Sequence, residues 1–313
     1  MILSAIFIII GFVFLIKGAD FLVDGSSGVA KRFHIPEIVI GLTIISIGTS
    51  MPELFVSITS SLEGYSDMAI GNVVGSNIVN LLFILGLSAW MNPIEFKKET
   101  KLLEIPICLV VTIIFMTICN IKHGISKIEG IILIFLFVLF IIYTIVMAIK
   151  GNGKEEQIEE SEKGTLFKDV CSIILGIIAL KVGGDLTVNH AVNVAEYFNI
   201  SEKIISITIL AIGTSLPELV TSVSASIKGK CDIAIGNILG SNIFNMLLII
   251  GSSSIIKPII YNLSYNKDLL YLICATLILE LFTIIPPKNK MSRVNGAIYV
   301  FMYVEYMLCL FMA

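Results

Sequence analysis

The sequence contains one stretch of 39 residues twice. Residues 48–86 read GTSMPELFVSITSSLEGYSDMAIGNVVGSNIVNLLFILG, and residues 213–251 repeat this pattern at a constant offset of 165, with 22 of 39 positions identical. Each copy places Gly-Thr-Ser-x-Pro and a glutamate, Glu53 or Glu218, inside an otherwise apolar segment. A carboxylate in such a segment is costly unless it is paired or functional. Broken apolar segments at corresponding positions of two halves are typical of the binding site of a transporter.

The composition is that of a membrane protein. The 313 residues are 56% hydrophobic and 14% charged, with a mean hydropathy of +0.97, which excludes an ordinary soluble domain. A net charge of −3 and the lack of a basic patch argue against nucleic-acid binding. The first apolar run, from Ile2 to Ile16, has neither a basic leader nor a small-residue cleavage site, so it is predicted to be a membrane helix and not a signal peptide. Six scattered cysteines without CxxC spacing indicate buried hydrophobic residues, and no cofactor is expected.

Ten segments of about 20 mostly apolar residues, the length that crosses a bilayer, can be marked in the chain. They are residues 2–27, 37–61, 68–91, 103–121, 129–149, 167–190, 202–226, 232–256, 268–286 and 294–312. A charged stretch, KGNGKEEQIEESEK at 150–163, separates the fifth from the sixth. The sequence therefore predicts an all-α integral membrane protein. It is divided into a first five-helix repeat (1–149), a linker (150–166) and a second five-helix repeat (167–313).

An odd number of crossings in each half predicts that the two repeats are inverted in the membrane. If both termini lie outside, fourteen basic residues fall in inside loops and five in outside loops. The inside group is Lys31, Arg32, Lys97, Lys98, Lys101, Lys150, Lys154, Lys163, Lys168, Lys228, Lys230, Lys288, Lys290 and Arg293; the outside group is Lys122, Lys127, Lys203, Lys257 and Lys267. Because basic residues concentrate in cytoplasmic loops, this distribution predicts outside termini and a cytoplasmic linker.

Polar residues recur at helical spacing within each copy of the repeat. Glu53, Ser57 and Ser61 share one helix face at i, i+4 and i+8, and the next helix carries a second such set. The remaining sets are Asn72, Ser76 and Asn80; Glu218, Ser222 and Ser226; and Asn237, Ser241 and Asn245. For the outer serines the alternative to an ion site is hydrogen bonding between helices. That alternative does not account for the two glutamates, because their charge must be desolvated.

The Gly-Thr-Ser-x-Pro sequences are expected to supply backbone oxygens. Proline removes a donor and breaks the helix, so carbonyl groups of residues 46–50 and 211–215 are freed beside the carboxylates. Glycines at 71 and 75, and at 236 and 240, allow the third and eighth helices to approach closely. The resulting ligand set contains only oxygen, which suits Ca²⁺. Two carboxylates balance one Ca²⁺ or two monovalent ions, as an exchanger requires.

The pair of motifs GTSxPE and GNxxGSNxxN, present twice, resembles the repeats of the cation/Ca²⁺ exchanger superfamily, in particular the prokaryotic sodium/calcium exchangers. The resemblance covers essentially the whole chain and implies a multi-pass protein of a prokaryotic cell membrane. It implies Ca²⁺ held by Glu53, Glu218 and the carbonyls of Thr49 and Thr214. It further implies Na⁺ sites formed by the carbonyls of Ser46 and Ala211 and by Ser50, Ser215, Ser76, Ser241, Asn80 and Asn245. The first and sixth helices are then expected to slide across the rest of the protein.

The resemblance leaves the counter-ion and several acids open. Na⁺/Ca²⁺ exchange is expected because the proton-coupled branch usually carries a different motif; the alternatives are a Ca²⁺/H⁺ antiporter, a cation channel or a sensor. The expected partners are Ca²⁺, Na⁺ and the lipid bilayer, with no protein partner required. Some relatives carry Asp where this chain has Asn80 or Asn245. Asp20 and Asp185 are expected either to line an entrance or to be solvated at helix ends, whereas Glu280 and Glu305 are expected to have structural partners.

Overall fold

The computed structural model describes residues 2–121, 123–151, 165–198, 211–286 and 289–312. Within these residues the chain is mostly helical, as predicted. The helices are α1 (Ile2–Phe33), α2 (Glu37–Thr49), α3 (Met51–Glu63), α4 (Ser66–Met91), α5 (Thr100–Ile121), α6 (Lys127–Gly151), α7 (Leu166–Tyr197), α8 (Ala211–Thr214), α9 (Leu216–Ile227), α10 (Cys231–Ile256), α11 (Tyr265–Ile284) and α12 (Arg293–Met312). Five helices (α1, α4, α5, α6 and α10) are long and apolar enough to span a membrane, and α2 with α3 forms a sixth, broken span. The predicted linker stretch 152–164 and residues 202–210 of the seventh predicted segment lie outside the described residues.

Both repeats contain a broken helix at the Gly-Thr-Ser-x-Pro sequence. Ser50 separates α2 from α3 with φ −83° and ψ 9°, and Ser215 separates α8 from α9 with φ −88° and ψ 6°. The proline two residues later has no N–H to continue the helical ladder, so the chain restarts as a new helix there. The axes of α2 and α3 differ by 50°. The break therefore points the N-terminal turn of each new helix, which carries the glutamate, toward the interior.

Within the described residues, two short two-stranded sheets join loops that are distant in sequence. Strand β1 (Ile94–Glu95) pairs antiparallel with β4 (Lys290–Met291), and β2 (Gly124–Ile125) pairs antiparallel with β3 (Ile259–Ile260). The charge distribution predicts the first pair in inside loops and the second in outside loops. Each two-stranded sheet thus joins two loops that are predicted on the same side of the membrane. This is what successive helices crossing in alternating directions require. Which side is cytoplasmic stays a prediction.

Helices α1 and α7 pack against each other along glycines spaced seven residues apart. A Cβ atom at Gly18 would lie 2.8 Å from the backbone nitrogen of Leu180, and one at Gly183 would lie 2.7 Å from the carbonyl oxygen of Gly11. Both helices are longer than the predicted segments 2–27 and 167–190, which end where polar residues begin. The helices continue because each one has the other beside it, and the absent side chains let the two backbones touch.

Burial divides the described helices into a central pair and a lipid-facing periphery. In its most apolar window α10 is 94% buried and α4 is 72% buried, whereas α6 is only 17% buried. Large apolar side chains such as Phe135 on α6 and Phe301 on α12 are exposed, as expected of surfaces that contact lipid. The motif residues of α4 and α10 therefore lie at the centre of the molecule.

Candidate functional site

The two glutamates are buried at the two helix breaks. Each one accepts a hydrogen bond from a serine of the opposite repeat. Glu53 is 1% exposed and Glu218 is 0% exposed. The hydroxyl of Ser50 donates to Oε1 of Glu218 at 2.7 Å, and the hydroxyl of Ser215 donates to Oε1 of Glu53 at 3.3 Å. Each break therefore contributes its own carboxylate and a donor to the carboxylate of the other break. The duplicated motif forms one site with approximate twofold symmetry.

Hydroxyl and amide groups connect this pair to α4 and α10. Oγ of Ser50 also lies 3.0 Å from Oγ of Ser241, whose hydroxyl it can accept, and Oγ1 of Thr49 donates to Oδ1 of Asn237 at 3.2 Å. The hydroxyl of Thr214 is within hydrogen-bonding range of the Glu53 carboxylate. These contacts bring together the residues predicted from both motifs.

Three of the four outer serines join helices, as the alternative interpretation predicted, whereas the buried hydroxyl of Ser61 has no hydrogen-bond partner among the described residues. Nδ2 of Asn72 donates to Oγ of Ser57 at 2.9 Å, and Nδ2 of Asn237 donates to Oγ of Ser222 at the same distance. The hydroxyl of Ser226 donates to the carbonyl of Ser88 at 2.8 Å. All three bonds join neighbouring helices and satisfy groups that would otherwise be desolvated without a partner.

A second symmetric set of contacts lies where α4 and α10 cross. Nδ2 of Asn80 donates to Oδ1 of Asn242 at 3.2 Å, and Nδ2 of Asn245 donates to Oδ1 of Asn77 at 2.9 Å. Both sites coincide with π-helical turns, Val79–Ile84 in α4 and Asn245–Ile249 in α10. Such turns occur frequently at functional sites. Helical spacing did not single out Asn77 and Asn242, although they occupy equivalent positions in the two copies of the Gly-Ser-Asn sequence.

Four buried carboxylate and amide oxygens of the duplicated stretch have no hydrogen-bond partner among the described residues. They are Oε2 of Glu53, Oε2 of Glu218, Oδ1 of Asn80 and Oδ1 of Asn245. Burying an acceptor without a partner costs free energy, and two of these acceptors belong to carboxylates. All four are oxygen acceptors, so the arrangement has the chemistry of a site for a hard cation.

The remaining predicted ligands are buried or lie at the edge of the described region. Ser76 is 3% exposed and Ser46 is 0% exposed. The carbonyl of Ser46 already accepts the N–H of Ser50 at 3.0 Å and lies 3.4 Å from Oγ1 of Thr49. Ala211 is the first described residue of α8.

The prediction that the glycines of α4 and α10 bring these two helices close together is wrong for Gly236 and Gly240. Gly236 and Gly240 of α10 approach the backbone of α2, with distances of 2.7 Å from a Cβ position at Gly236 to the carbonyl of Ile38 and 2.8 Å from one at Gly240 to Leu42. These glycines therefore contact the broken helix α2, and the end of α2 at Thr49 packs against α10. On α4, a Cβ atom at Gly71 would lie 3.0 Å from the hydroxyl of Tyr265, and one at Gly75 would have no described atom within 4 Å.

Three of the four other membrane acids, Asp20, Asp185 and Glu305, have partners away from the glutamate pair. Asp20 accepts from Nζ of Lys228 at 2.9 Å and from the hydroxyl of Ser224 at 3.3 Å, in the middle of α1 and not at a helix end. Asp185 pairs with Lys181 on its own helix at 3.1 Å. Glu305 accepts from the hydroxyl of Tyr271 at 2.9 Å. Oε2 of Glu280 has no hydrogen-bond partner within the described part of the chain.

A small cavity reaches one of the breaks from the surface of α7. It has a volume of about 120 Å³ and lies between α7 and the α2–α3 break. Its lining consists of Gly48, Thr49, Met51, Pro52, Phe55, Ile177, Leu180, Lys181 and Pro217. Thr49 thus belongs both to this cavity and to the hydrogen-bonded site.

The sequence model of the sodium/calcium exchanger protein family matches residues 3–146 and 168–312. The chain belongs to the sodium/calcium exchanger family. The putative antiporter CaxA of Alkalimonas amylolytica is 35% identical over 319 residues, and the match covers 99% of each chain. The sodium/calcium exchanger MaX1 of Methanosarcina acetivorans is 30% identical over 342 residues, with 97% of each chain covered. A solved structure of the sodium-calcium exchanger NCX_Mj matches with a TM-score of 0.86 and 31% identity over 98% of each chain.

Membership of this exchanger family confirms the resemblance that the two motifs indicated. It makes the chain a multi-pass membrane transporter, and the comparisons support cation/Ca²⁺ exchange. The likeness to NCX_Mj extends over 98% of each chain, so the structural match and the family match cover nearly the same residues.

Proposed function

We propose that this protein is a Na⁺/Ca²⁺ antiporter that exchanges the two cations at the glutamate pair by alternating access. The observation that carries the proposal is the group of four buried oxygens, two carboxylate and two amide, that lack hydrogen-bond partners among the described residues. A carboxylate can bind a metal cation or a proton. An amide oxygen binds a metal cation but does not titrate between pH 5 and 9. Half of this set is therefore of use only for metal ions, which favours Na⁺ over H⁺ as the counter-ion.

We assign the twelve predicted residues to two kinds of ion site. Glu53 and Glu218, with the carbonyls of Thr49 and Thr214, hold Ca²⁺, because two negative charges offset the cost of dehydrating a divalent ion. The Na⁺ ligands are Ser46, Ser50, Ser76, Asn80, Ala211, Ser215, Ser241 and Asn245. The cross-repeat bonds of Ser50 and Ser215 support this grouping, since each serine is held against the opposite carboxylate.

Alternating access is proposed to use the α1–α7 pair as the moving part. Glycine contacts join these helices closely along their length, and the cavity at Thr49 lies against α7. The proposal includes ten crossings in two inverted halves, termini outside, and insertion in the prokaryotic cell membrane. The two-stranded sheets support this topology, because each one joins two loops that it predicts on the same side of the membrane.

The test is flux of radioactive Ca²⁺ from proteoliposomes loaded with Ca²⁺ and diluted into media with or without Na⁺, at clamped voltage and equal pH. We expect efflux only when Na⁺ is present outside. A matched dilution that imposes a proton gradient without Na⁺ is expected to give no efflux. Efflux driven by the proton gradient alone would identify a Ca²⁺/H⁺ antiporter, and efflux without either gradient would identify a channel.

A further inference from the structure

The unusual feature at the crossing of α4 and α10 is that its amides are oriented by backbone atoms. Nδ2 of Asn77 donates to the backbone carbonyl of Asn242 at 3.2 Å. Nδ2 of Asn242 donates in turn to the backbone carbonyl of Asn77 at 3.3 Å. A carbonyl can only accept, so neither amide group can exchange its oxygen and nitrogen without losing this bond. Both side chains are buried, at 0% and 1% exposed.

Each of these fixed amides in turn fixes the amide of one asparagine in the opposite repeat. With Nδ2 of Asn77 bound to a carbonyl, its Oδ1 is available only as an acceptor, and it accepts Nδ2 of Asn245 at 2.9 Å. Asn245 must therefore direct its Oδ1 away from Asn77, and that oxygen is one of the four without a partner among the described residues. The symmetric bond from Asn80 to Oδ1 of Asn242 has the same effect on Asn80.

The direction of these amides decides what a cation would meet. A primary amide presents an oxygen that attracts a cation on one side and an NH₂ group that repels it on the other. Without an external constraint, rotation by about 180° exchanges the two at little steric cost. An amide ligand for Na⁺ or Ca²⁺ thus needs a neighbour that can accept from its NH₂ group and cannot donate to its oxygen.

We propose that Asn77 and Asn242 are positioning residues that keep Oδ1 of Asn245 and Asn80 directed into the ion centre and their NH₂ groups out of it. The proposal rests on the ion site of the proposed function and adds two residues to it. Neither positioning residue touches an ion. Each acts through the amide of the opposite repeat, so each repeat orients one ligand of the other.

The test is a double-mutant cycle with Asn77→Ala and Asn245→Asp, read as equilibrium Ca²⁺ binding to purified protein by calorimetry in Na⁺-free buffer at pH 8. In the parent background, Asn77→Ala is expected to weaken Ca²⁺ binding by about tenfold or more, the usual effect of losing a group that orients a ligand. In the Asn245→Asp background it is expected to weaken binding by less than about twofold, because a carboxylate presents oxygen in either orientation.

A matched structural control is Asn92→Ala. Nδ2 of Asn92 also donates to a backbone carbonyl of another helix, that of Ser226 at 2.7 Å, but it orients no ion ligand. We expect this variant to lower the melting temperature and leave Ca²⁺ affinity unchanged. The cycle of Asn242→Ala with Asn80→Asp repeats the test on the symmetric pair, and it serves if Asn77→Ala does not fold.

An equal loss of Ca²⁺ affinity from Asn77→Ala in both backgrounds would overturn the proposal, because it would show a general structural role. A parent that binds no Ca²⁺ would overturn both this proposal and the proposed function. A parent that binds Ca²⁺ but whose flux ignores Na⁺ would overturn only the proposed function, because the cycle measures binding without a counter-ion.

Discussion

At the scale of single residues, the site is defined by acceptors that lack donors. The sequence predicted the two glutamates and their serines because a charged or polar group in an apolar segment is conspicuous in a repeat. It did not predict the roles of Asn77 and Asn242. Their importance depends on which backbone carbonyl each amide meets, and that is set by how two helices cross. Helical spacing identifies residues that share a face, but not the partner across the interface.

The glutamates give the first residue-scale prediction. Glu53→Gln and Glu218→Gln should each weaken Ca²⁺ binding by more than ~100-fold, because each removes a carboxylate that offsets the charge of the bound Ca²⁺. Removing one partner of a buried pair of opposite charges costs about 3–5 kcal/mol. Binding can be measured by calorimetry, and size-exclusion chromatography checks that each variant is folded. Ser61→Ala is the matched control, since Ser61 lies two turns from Glu53 on the same helix and is not among the proposed ligands. Near-parental binding by either glutamine variant would remove that residue from the ion site.

At the scale of helices, the α1–α7 pair shows what the sequence could and could not indicate. The apolar runs located both helices, but the polar residues after position 20 concealed the length of α1. Those polar residues are accommodated by contacts with other elements, as between Asp20 and Lys228. Helix length is thus decided by tertiary packing as well as by local hydropathy.

The packing of these two helices predicts the effect of a larger residue at Gly18. A valine there would place its Cβ atom about 3.0 Å or less from Leu180, Ala179 and Gly176 on α7. Because the nearest atom is backbone, the helices must separate, and overpacking of this kind costs about 1–3 kcal/mol. We expect Gly18→Val to lower the melting temperature in detergent by several degrees. Val13→Leu, on an exposed part of the same helix, should leave it unchanged; equal melting temperatures for both variants would contradict close packing at Gly18.

The ion pairs between α1 and the turn before α10 give a second prediction for an element. Nζ of Lys228 lies 2.9 Å from Asp20 and 3.0 Å from Asp24, so this lysine ties α1 to the end of α9. Pairs that are partly exposed contribute at most about 1 kcal/mol. Lys228→Ala should therefore raise the apparent Ca²⁺ affinity from the linker side by no more than about fivefold, by easing movement of α1.

Affinities from each side can be compared in right-side-out and inside-out vesicles. Lys290→Ala is the control, because Lys290 pairs with Glu95 at 3.1 Å between two loops and leaves α1 untouched. The same change from both variants, or a change only on the opposite side, would show that the Lys228 pairs do not restrain α1.

At the scale of the whole molecule, the orientation in the membrane is the prediction with the broadest consequence. The distribution of fourteen basic residues against five predicts that the linker lies in the cytoplasm. In a variant with the six native cysteines replaced, a cysteine at Gly153 in the linker should be protected from a membrane-impermeant thiol reagent in intact cells. A cysteine at Leu263, exposed in the loop predicted outside, should react readily. The reverse labelling pattern would invert the topology.

The contacts between the two halves have the form of an isologous dimer interface. At an offset of 165, Gly183 is the counterpart of Gly18 and Gly176 is the counterpart of Gly11. Gly11 contacts Gly183, and Gly18 contacts Gly176. The asparagines of α4 and α10 show the same reciprocal pattern. Two copies of one subunit meet in this way. If the two halves cross the membrane in opposite orientations, as predicted, two copies of one half-length ancestor would already have formed the paired helices and the shared site.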